Sequence, residues 1–334
     1  MDFTPTEEQA AVAGLATDLF ATASHPGLGV EGFDTDLWAK LVEGGLLGLS
    51  VGEELGGGGL PLAVSAVVAE AAGKAAGRVP VVPVLSVLPL LEDADLVGKV
   101  LAGEAIVVPA LQADGWDSGV TATDGRITGT QLAIAWAPQA SHVVVAASGS
   151  LYLVSASDVT LEEVRTSSLE PAATITFDGA PGVALSASVD DAVARHTLLT
   201  CSYGVGVAEA SLLIAAQHVS TREQFGKPLA AFQTVTYQMA DCYIAVEAMR
   251  LTAAQAIWRL DQGLPHAEET AIAAFWGSDG IQHVVSKAVH LHGGLGVDVS
   301  YPLHKWFLIG KVLELSLGGA QRTLNELGDL LAAR

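Results

Sequence analysis

The segment Arg222-Glu-Gln-Phe-Gly-Lys-Pro-Leu-Ala-Ala-Phe-Gln233 gathers a guanidinium, two aromatic rings and an amide between two long stretches of helical periodicity. Arg222 closes an amphipathic run and presents a rigid fork of donors, which suits a pyrophosphate better than a lysine would. Gly226 and Pro228 interrupt the helix, and Phe232 with Gln233 opens the next one. A cation, rings and an amide at such a helix-to-helix turn can hold a charged, partly aromatic ligand. Any one of these residues alone reads as an ordinary surface turn with a solvated arginine. The weight lies in the whole string, read together with His290-Leu-His-Gly-Gly-Leu-Gly296 downstream.

That string resembles the R-x-Q-F-G-K-P-[LI]-x-x-F-Q signature of the acyl-CoA dehydrogenase family. Three further stretches agree with the family in order and spacing. Asp2-Phe-Thr-Pro-Thr-Glu-Glu-Gln9 looks like its opening, and Leu46-Leu-Gly-Leu-Ser-Val-Gly-Glu-Glu-Leu-Gly-Gly-Gly-Gly59 like its G-L-L-G-L-x-V-P-E-E-x-G-G-x-G loop. His292-Gly-Gly-Leu-Gly296, followed by Tyr301-Pro-Leu-His-Lys305, looks like its late G-G-x-G and Y-P-L-x-R pair. The resemblance implies that Arg222, Phe225, Phe232, Gln233, His290, Gly293 and Gly294 contact FAD, although His290 stands where the family usually has glutamine.

The chain has 334 residues, half of them hydrophobic, enough for a large core and two or three packed units. Its apolar runs are interrupted well short of the roughly 20 residues of a membrane span, and its start is acidic rather than basic and apolar. A cytoplasmic protein is expected. Cys201 and Cys242 fall in apolar helical stretches without metal-ligand spacing and read as reduced core residues. Sixteen basic against 37 acidic side chains give a net charge of −21, which repels nucleic acids and anionic membranes. Any anion site must then draw on local cations, with Arg222, Lys227, Lys287 and Lys305 as candidates.

The elements that position these residues fall in three blocks: residues 1–106 mostly helical, 107–189 an antiparallel, barrel-like β unit, and 190–334 a helix bundle. Thr4-Pro5-Thr6-Glu7 has capping-box spacing with proline at the first helical position, predicting a helix from there to about Thr22. Apolar spacing of three and four predicts helices over 34–44 and 60–77, and the Gly56 to Gly59 run between them lacks the ending of a phosphate loop. Short runs rich in Val, Ile and Thr then predict strands, ending near Val189. Four long helices follow, over 194–221, 231–262, 266–291 and 306–333, as members of an antiparallel four-helix bundle. Gly204 and Gly206 mimic a dinucleotide turn, but no βαβ alternation follows, and close helix packing explains them better. The fold class is α+β.

In the family, a glutamate removes the α-proton of an acyl-CoA while the β-hydrogen leaves as hydride to the flavin. The resemblance implies two positions for that base. Counted back from Gln321-Arg322, one falls on Leu315; counted back from Arg222, the other falls on or beside His196. Neither is a carboxylate. Glu314 is one residue off, a turn of about 100° on a helix, and His196 reads as a helix-start residue near the surface. The family's flavin-ring stretches correspond to Leu111-Gln-Ala-Asp-Gly-Trp-Asp-Ser118 and Ile134-Ala-Trp-Ala137, and both are degraded.

In the family, the Arg-Phe motif and Gly-Gly turn reach across to FAD on a neighbouring subunit. Retention of that half and loss of the other implies a longer catalytic partner, as in actinobacterial α2β2 acyl-CoA dehydrogenases that act on CoA thioesters of steroid side chains. On this expectation FAD is shared across the interface, the acyl-CoA sits mainly on the partner, and an electron-transferring flavoprotein accepts the electrons. Two other readings compete: a self-sufficient homo-oligomeric dehydrogenase using Glu314 or another acid, and a flavin-free structural or CoA-binding scaffold.

Overall fold

The computed structural model describes residues 3–23, 32–111 and 119–333. Helices come first: α1 (Glu7–Phe20), α2 (Thr35–Glu43), α3 (Leu62–Ala75), α4 (Val81–Val87) and α5 (Ala94–Leu101). The cap of α1 lies two residues later than the spacing of Thr4 and Glu7 predicts. Thr6 is the N-cap, its hydroxyl accepting from Gln9 N at 3.1 Å while Gln9 Oε1 accepts from Thr6 N at 2.9 Å. Proline thus precedes the cap instead of following it. Asp34 caps α2 at Leu37 N, 2.9 Å away, and Gly44 ends that helix.

Seven strands follow: β1 (Val107–Ala110), β2 (Thr121–Thr123), β3 (Arg126–Ala135), β4 (His142–Ala147), β5 (Ser150–Ser155), β6 (Thr160–Arg165) and β7 (Pro171–Leu185). Their order is β1-β4-β5-β7-β3-β2, with β6 also on β7. The long β7 pairs with β3 and β6 through its first part and with β5 through its last. One pairing departs from the antiparallel expectation, since β1 runs parallel to β4, Val107 opposite His142 through Ala110 opposite Val145. Strand β1 enters from α5, so nothing local dictates its direction.

The last block holds α6 (Val189–Thr221), α7 (Gln233–Asp261), α8 (Ala267–His292), α9 (Leu303–Ser316) and α10 (Ala320–Ala332). The single helix expected over 306–333 is two. Gly318 and Gly319 sit at φ 97° and 78°, left-handed backbone that ends α9 with Gly319 N bonded to Glu314 O at 3.0 Å. Helices α6, α7 and α8 pack on one another, with α9 and α10 against α8. Although α6 is long and apolar enough to cross a membrane, most of it is enclosed by its neighbours.

A single large core runs from Phe20 and Leu41 through Ile127 and Phe177 to Val207, Met249 and Val284. Helix α3 lies along α6, and glycines let the two backbones meet. A Cβ on Gly206 would stand 2.0 Å from Glu70 O, and one on Gly73 2.0 Å from Tyr203 O. Gly204 has no such neighbour, its nearest contact being Met249 Cε at 3.7 Å. Beside this seam Arg250 binds Glu70 at 2.9 Å, Glu209 at 3.0 Å and Glu247. Burial pulls the Arg250 guanidinium down, but the three glutamates outweigh it and hold it above its ordinary value.

Both cysteines are buried and unpaired, and burial pushes the Cys201 thiol up to about 12 and that of Cys242 to about 11. The three blocks meet at a second charged cluster. Arg78 donates to Leu169 O at 3.1 Å, and Glu170 and Lys305 lie within its field. Burial, with Arg78, draws Lys305 down to about 8, while burial raises the Glu170 carboxyl. Lys305, one of the candidate cations for an anion site, thus lies at this junction.

Candidate functional site

Arg222 is the C-cap of α6, extended at φ −75°, ψ 121°, its N–H bonded to His218 O at 2.8 Å. The chain then forms a hairpin of β8 (Glu223–Gln224) and β9 (Lys227–Pro228), closed by Leu229 N to Arg222 O at 2.8 Å. Phe225 and Gly226 occupy its two corner positions at φ 53° and 77°. Both are left-handed, as a tight two-residue hairpin requires. Glycine fills that role freely; phenylalanine does so at a cost of about 1–3 kcal/mol. The ring so placed is 93 % exposed. The corner thus holds a phenyl ring in solvent at a backbone cost.

Phe232 stands behind it, edge to face at 6.2 Å and 82°, with Lys227 Nζ 4.3 Å above its ring. Phe232 is the N-cap of α7, and no side chain caps this end. Gln233 opens the helix on its exposed side, and Arg222 is exposed as well. A guanidinium, two rings, an ammonium, an amide and a helix N-terminus thus share one tip.

The second stretch ends α8. His290 is exposed in its last turn, and Gly293 terminates the helix at φ 62°. A Cβ on Gly293 or Gly294 would meet nothing within 4 Å, so bare backbone faces outward there. Gly296 is enclosed instead, its added Cβ falling 2.5 Å from Val289 O.

Two histidines outside the sequence expectation join these stretches. His218, one turn before Arg222, stacks on His292, next to Gly293, at 4.1 Å between centroids and 22° between planes. His292 Nδ1 lies 2.7 Å from Ala288 O, and a carbonyl can only accept, so that nitrogen carries hydrogen. Its other nitrogen, Nε2, is hydrogen-bonded with Tyr301 Oη at 3.1 Å. Burial lowers the His218 pKa, with His292 and Arg222 adding to the effect. An imidazole in the final turn of each helix was the available signal, although it carries no motif.

The two candidate bases lie apart from this tip. His196 is 26 residues before Arg222 on the same helix, about 39 Å at 1.5 Å per residue. It is half-buried against α4 rather than near the surface as expected. Ser86 spends its hydroxyl hydrogen on Pro83 O at 2.8 Å, so its oxygen accepts from His196 Nδ1 at 3.2 Å. Burial lowers the imidazole pKa to about 4. Glu314 is paired with Lys311, and its backbone oxygen accepts from Ser278 Oγ at 3.0 Å. Leu315 beside it is 74 % exposed.

Of the degraded stretches, 112–118 lies outside the described residues, as does Asp2. In the other, Trp136 turns inward at φ 63°, 2 % exposed and 6.2 Å from the ring of Phe33. This stretch presents apolar groups only. A cavity of about 460 Å³ opens where Phe3, Val64, Val205 and Trp258 converge, and none of the expected site residues lines it.

Residues 189–331 match a family profile described as acyl-CoA dehydrogenase, C-terminal domain, and residues 6–92 one described as acyl-CoA dehydrogenase, N-terminal domain. The chain is similar to acyl-CoA dehydrogenase FadE28 of Mycobacterium tuberculosis, 33% identical over 98% of both chains. FadE27 of the same organism is 32% identical over 99% of both. Among solved structures, the ChsE4-ChsE5 complex from Mycobacterium tuberculosis has TM-score 0.92 and 32% identity over 100% of both chains. The steroid ACAD variant Tcur3481-Tcur3483 has TM-score 0.92 and 34% identity over 98% of both.

Proposed function

The chain belongs to the acyl-CoA dehydrogenase family, oxidoreductases acting on CH–CH groups, and on that premise we propose that it is an FAD-sharing, non-catalytic subunit of a heteromeric member. Its reaction introduces an α,β double bond into an acyl-CoA, here the CoA thioester of a steroid side chain. The work takes place in the cytoplasm, with an electron-transferring flavoprotein as acceptor. Two relatives solved as two-component assemblies, one of them described as a steroid dehydrogenase, support the heteromer and the substrate class.

The observation that carries the reading is the outward projection of the clamp. Arg222, Phe225, Gln233 and His290 are all exposed, and Phe225 is held out at a backbone cost. Groups that bound a nucleotide within their own subunit would converge on a cavity of that subunit. The residues present fit the diphosphate and adenosine end of FAD. Arg222 and Lys227 supply charge, Phe225 and Phe232 supply faces, and Gly293 and Gly294 supply unshielded backbone for close approach.

Among the described residues the ring end lacks such a fit. FAD, when bound, would supply the hydride acceptor for the β-hydrogen, and removal of the α-proton needs a carboxylate. Leu315 occupies one family position for it, and His196, held neutral by its surroundings, lies at the other. This chain therefore orients the nucleotide tail and leaves proton abstraction to the longer partner. Co-purification from the native host, with total mass and flavin count, tests the reading. One FAD per pair of unlike subunits is expected, with a flavin-poor lone chain. Stoichiometric FAD with turnover from the lone chain would overturn it.

A further inference from the structure

The cavity of about 460 Å³ lies between α3 and α7, apart from the nucleotide clamp. One face of each helix forms its walls. Helix α7 contributes Ala253, Ala254 and Ile257, and α3 contributes Ala63, Ala66 and Val67, in each case at the spacing of a single helix face. The two faces are tied at both ends. Arg250 binds Glu70 at 2.9 Å, and 11 residues further along α7 Asp261 accepts from Leu62 N at 2.8 Å and from Ala63 N at 3.0 Å. These ties, about 17 Å apart at 1.5 Å per residue, splint the helices, so the short side chains between them cannot close the gap. Protein interiors otherwise pack to leave only water-sized voids. A space of this volume is of the size that holds small molecules.

The groups around the cavity decide what it takes. Its polar lining is largely satisfied from within. Ser202 Oγ donates to Leu198 O at 3.0 Å, Thr6 and Gln9 bind each other's backbone, and Asp261 is spent on the start of α3. Water there finds few partners, so an apolar molecule gains by displacing it. Arg250 gives four of its five N–H hydrogens to Glu70, Glu209 and Glu247, and the fifth, on Nη1, has no partner among the described residues. One donor thus remains for an oxygen of a ligand. An anion is refused, because the three glutamates outnumber Arg250 and Lys74 in that cluster. A cation finds no free carboxylate inside, with Glu70 and Asp261 engaged and Glu8 in solvent at the rim. At the ~30 Å³ that a water occupies in the liquid, the space holds on the order of 15 such groups.

We infer that this cavity is a binding site for one uncharged, mostly apolar small molecule that turns a hydroxyl or carbonyl oxygen to Arg250. The site is independent of the flavin reading and stands whether or not that reading does.

The test uses the purified assembly and two naphthalene dyes of matching size. Prodan is uncharged and carries a ketone, whereas anilinonaphthalene sulfonate is an anion. Prodan is expected to bind once per copy of this chain, with its emission shifted to the blue, and the sulfonate should not displace it. Ala254→Phe puts a ring into the space and should weaken prodan binding about tenfold or more. Failure of the assembly to bind prodan, the result expected if a protein segment fills the cavity, would overturn the proposal. So would binding that Ala254→Phe leaves unchanged or that the sulfonate displaces. A tethered dye guards against misfolding of that variant. Ala254→Cys, a smaller change, is labelled with acrylodan, the thiol-reactive form of the same dye, while the native Cys201 and Cys242 are buried. Emission from position 254 should lie to the blue of emission from Glu162→Cys, an exposed position on β6. Equal, water-like emission at both positions would equally refute the site.

Discussion

His218 and His292 stack at 4.1 Å, and through that contact the end of α6 is fastened to the end of α8. Arg222 follows the first histidine by one turn, and Gly293 follows the second directly. Two stretches some 70 residues apart therefore keep a fixed relation, and Tyr301 completes the joint from the approach to α9.

Loosening this joint should loosen the flavin. Tyr301→Phe removes one hydrogen bond, typically about 1 kcal/mol, and roughly fivefold weaker retention of FAD by the assembly is expected. His292→Ala, which also removes the stack, should cost more. Flavin absorbance after gel filtration reads both effects, and unchanged occupancy would show that the joint supports only the fold.

Arg222→Ala should release FAD more strongly, since hydrogen bonds to charged groups contribute about 1.5–3 kcal/mol. The exposed setting of Arg222 favours the lower end, near tenfold. Arg222→Lys should recover little, because an ammonium cannot match a bidentate fork. Helical content by circular dichroism should stay constant in both variants.

His196 gives the fold an acid-side weakness. Its folded pKa of about 4 lies below the ordinary 6.5, so the folded chain holds it neutral while the unfolded chain takes up the proton first. Its contribution is fully present above pH 6.5 and is lost as pH falls towards 4, up to about 3 kcal/mol. Stability measured by denaturation at pH values from 7 down to 4 should fall steeply for the wild type and less so for His196→Gln. Equal slopes would dismiss the effect.

Gly206 and Gly204 should separate cleanly. Gly206→Ala drives a methyl into Glu70 O and is expected to cost about 1–3 kcal/mol or more. Gly204→Ala meets only ordinary contacts and gains helix propensity, up to about 1 kcal/mol. Thermal unfolding should show one midpoint lowered and the other unchanged or raised.

Much of this was legible in the sequence. Helical periodicity located α6, α7 and α8, and a long motif marked Arg222 to Gln233. Periodicity also misled, because the apolar pattern from Trp306 to Ala333 continues across Gly318 and Gly319 while the backbone turns there. The hairpin at Phe225 escaped because its corner is Phe-Gly, whereas Asn-Gly or Asp-Gly is the usual mark. His196 reads as a surface residue only because the helix that covers it, α4, is distant in sequence. The parallel entry of β1 is likewise a long-range fact, and the meeting of His218 with His292 belongs to the same class.

The exposed ring of Phe225 carries a cost for the cell as well. Until something covers it, each newly made chain bears a sticky tip. Synthesis in excess of the surfaces that receive them should therefore end in inclusion bodies. Matched expression of two genes, more than growth temperature, should set the soluble yield.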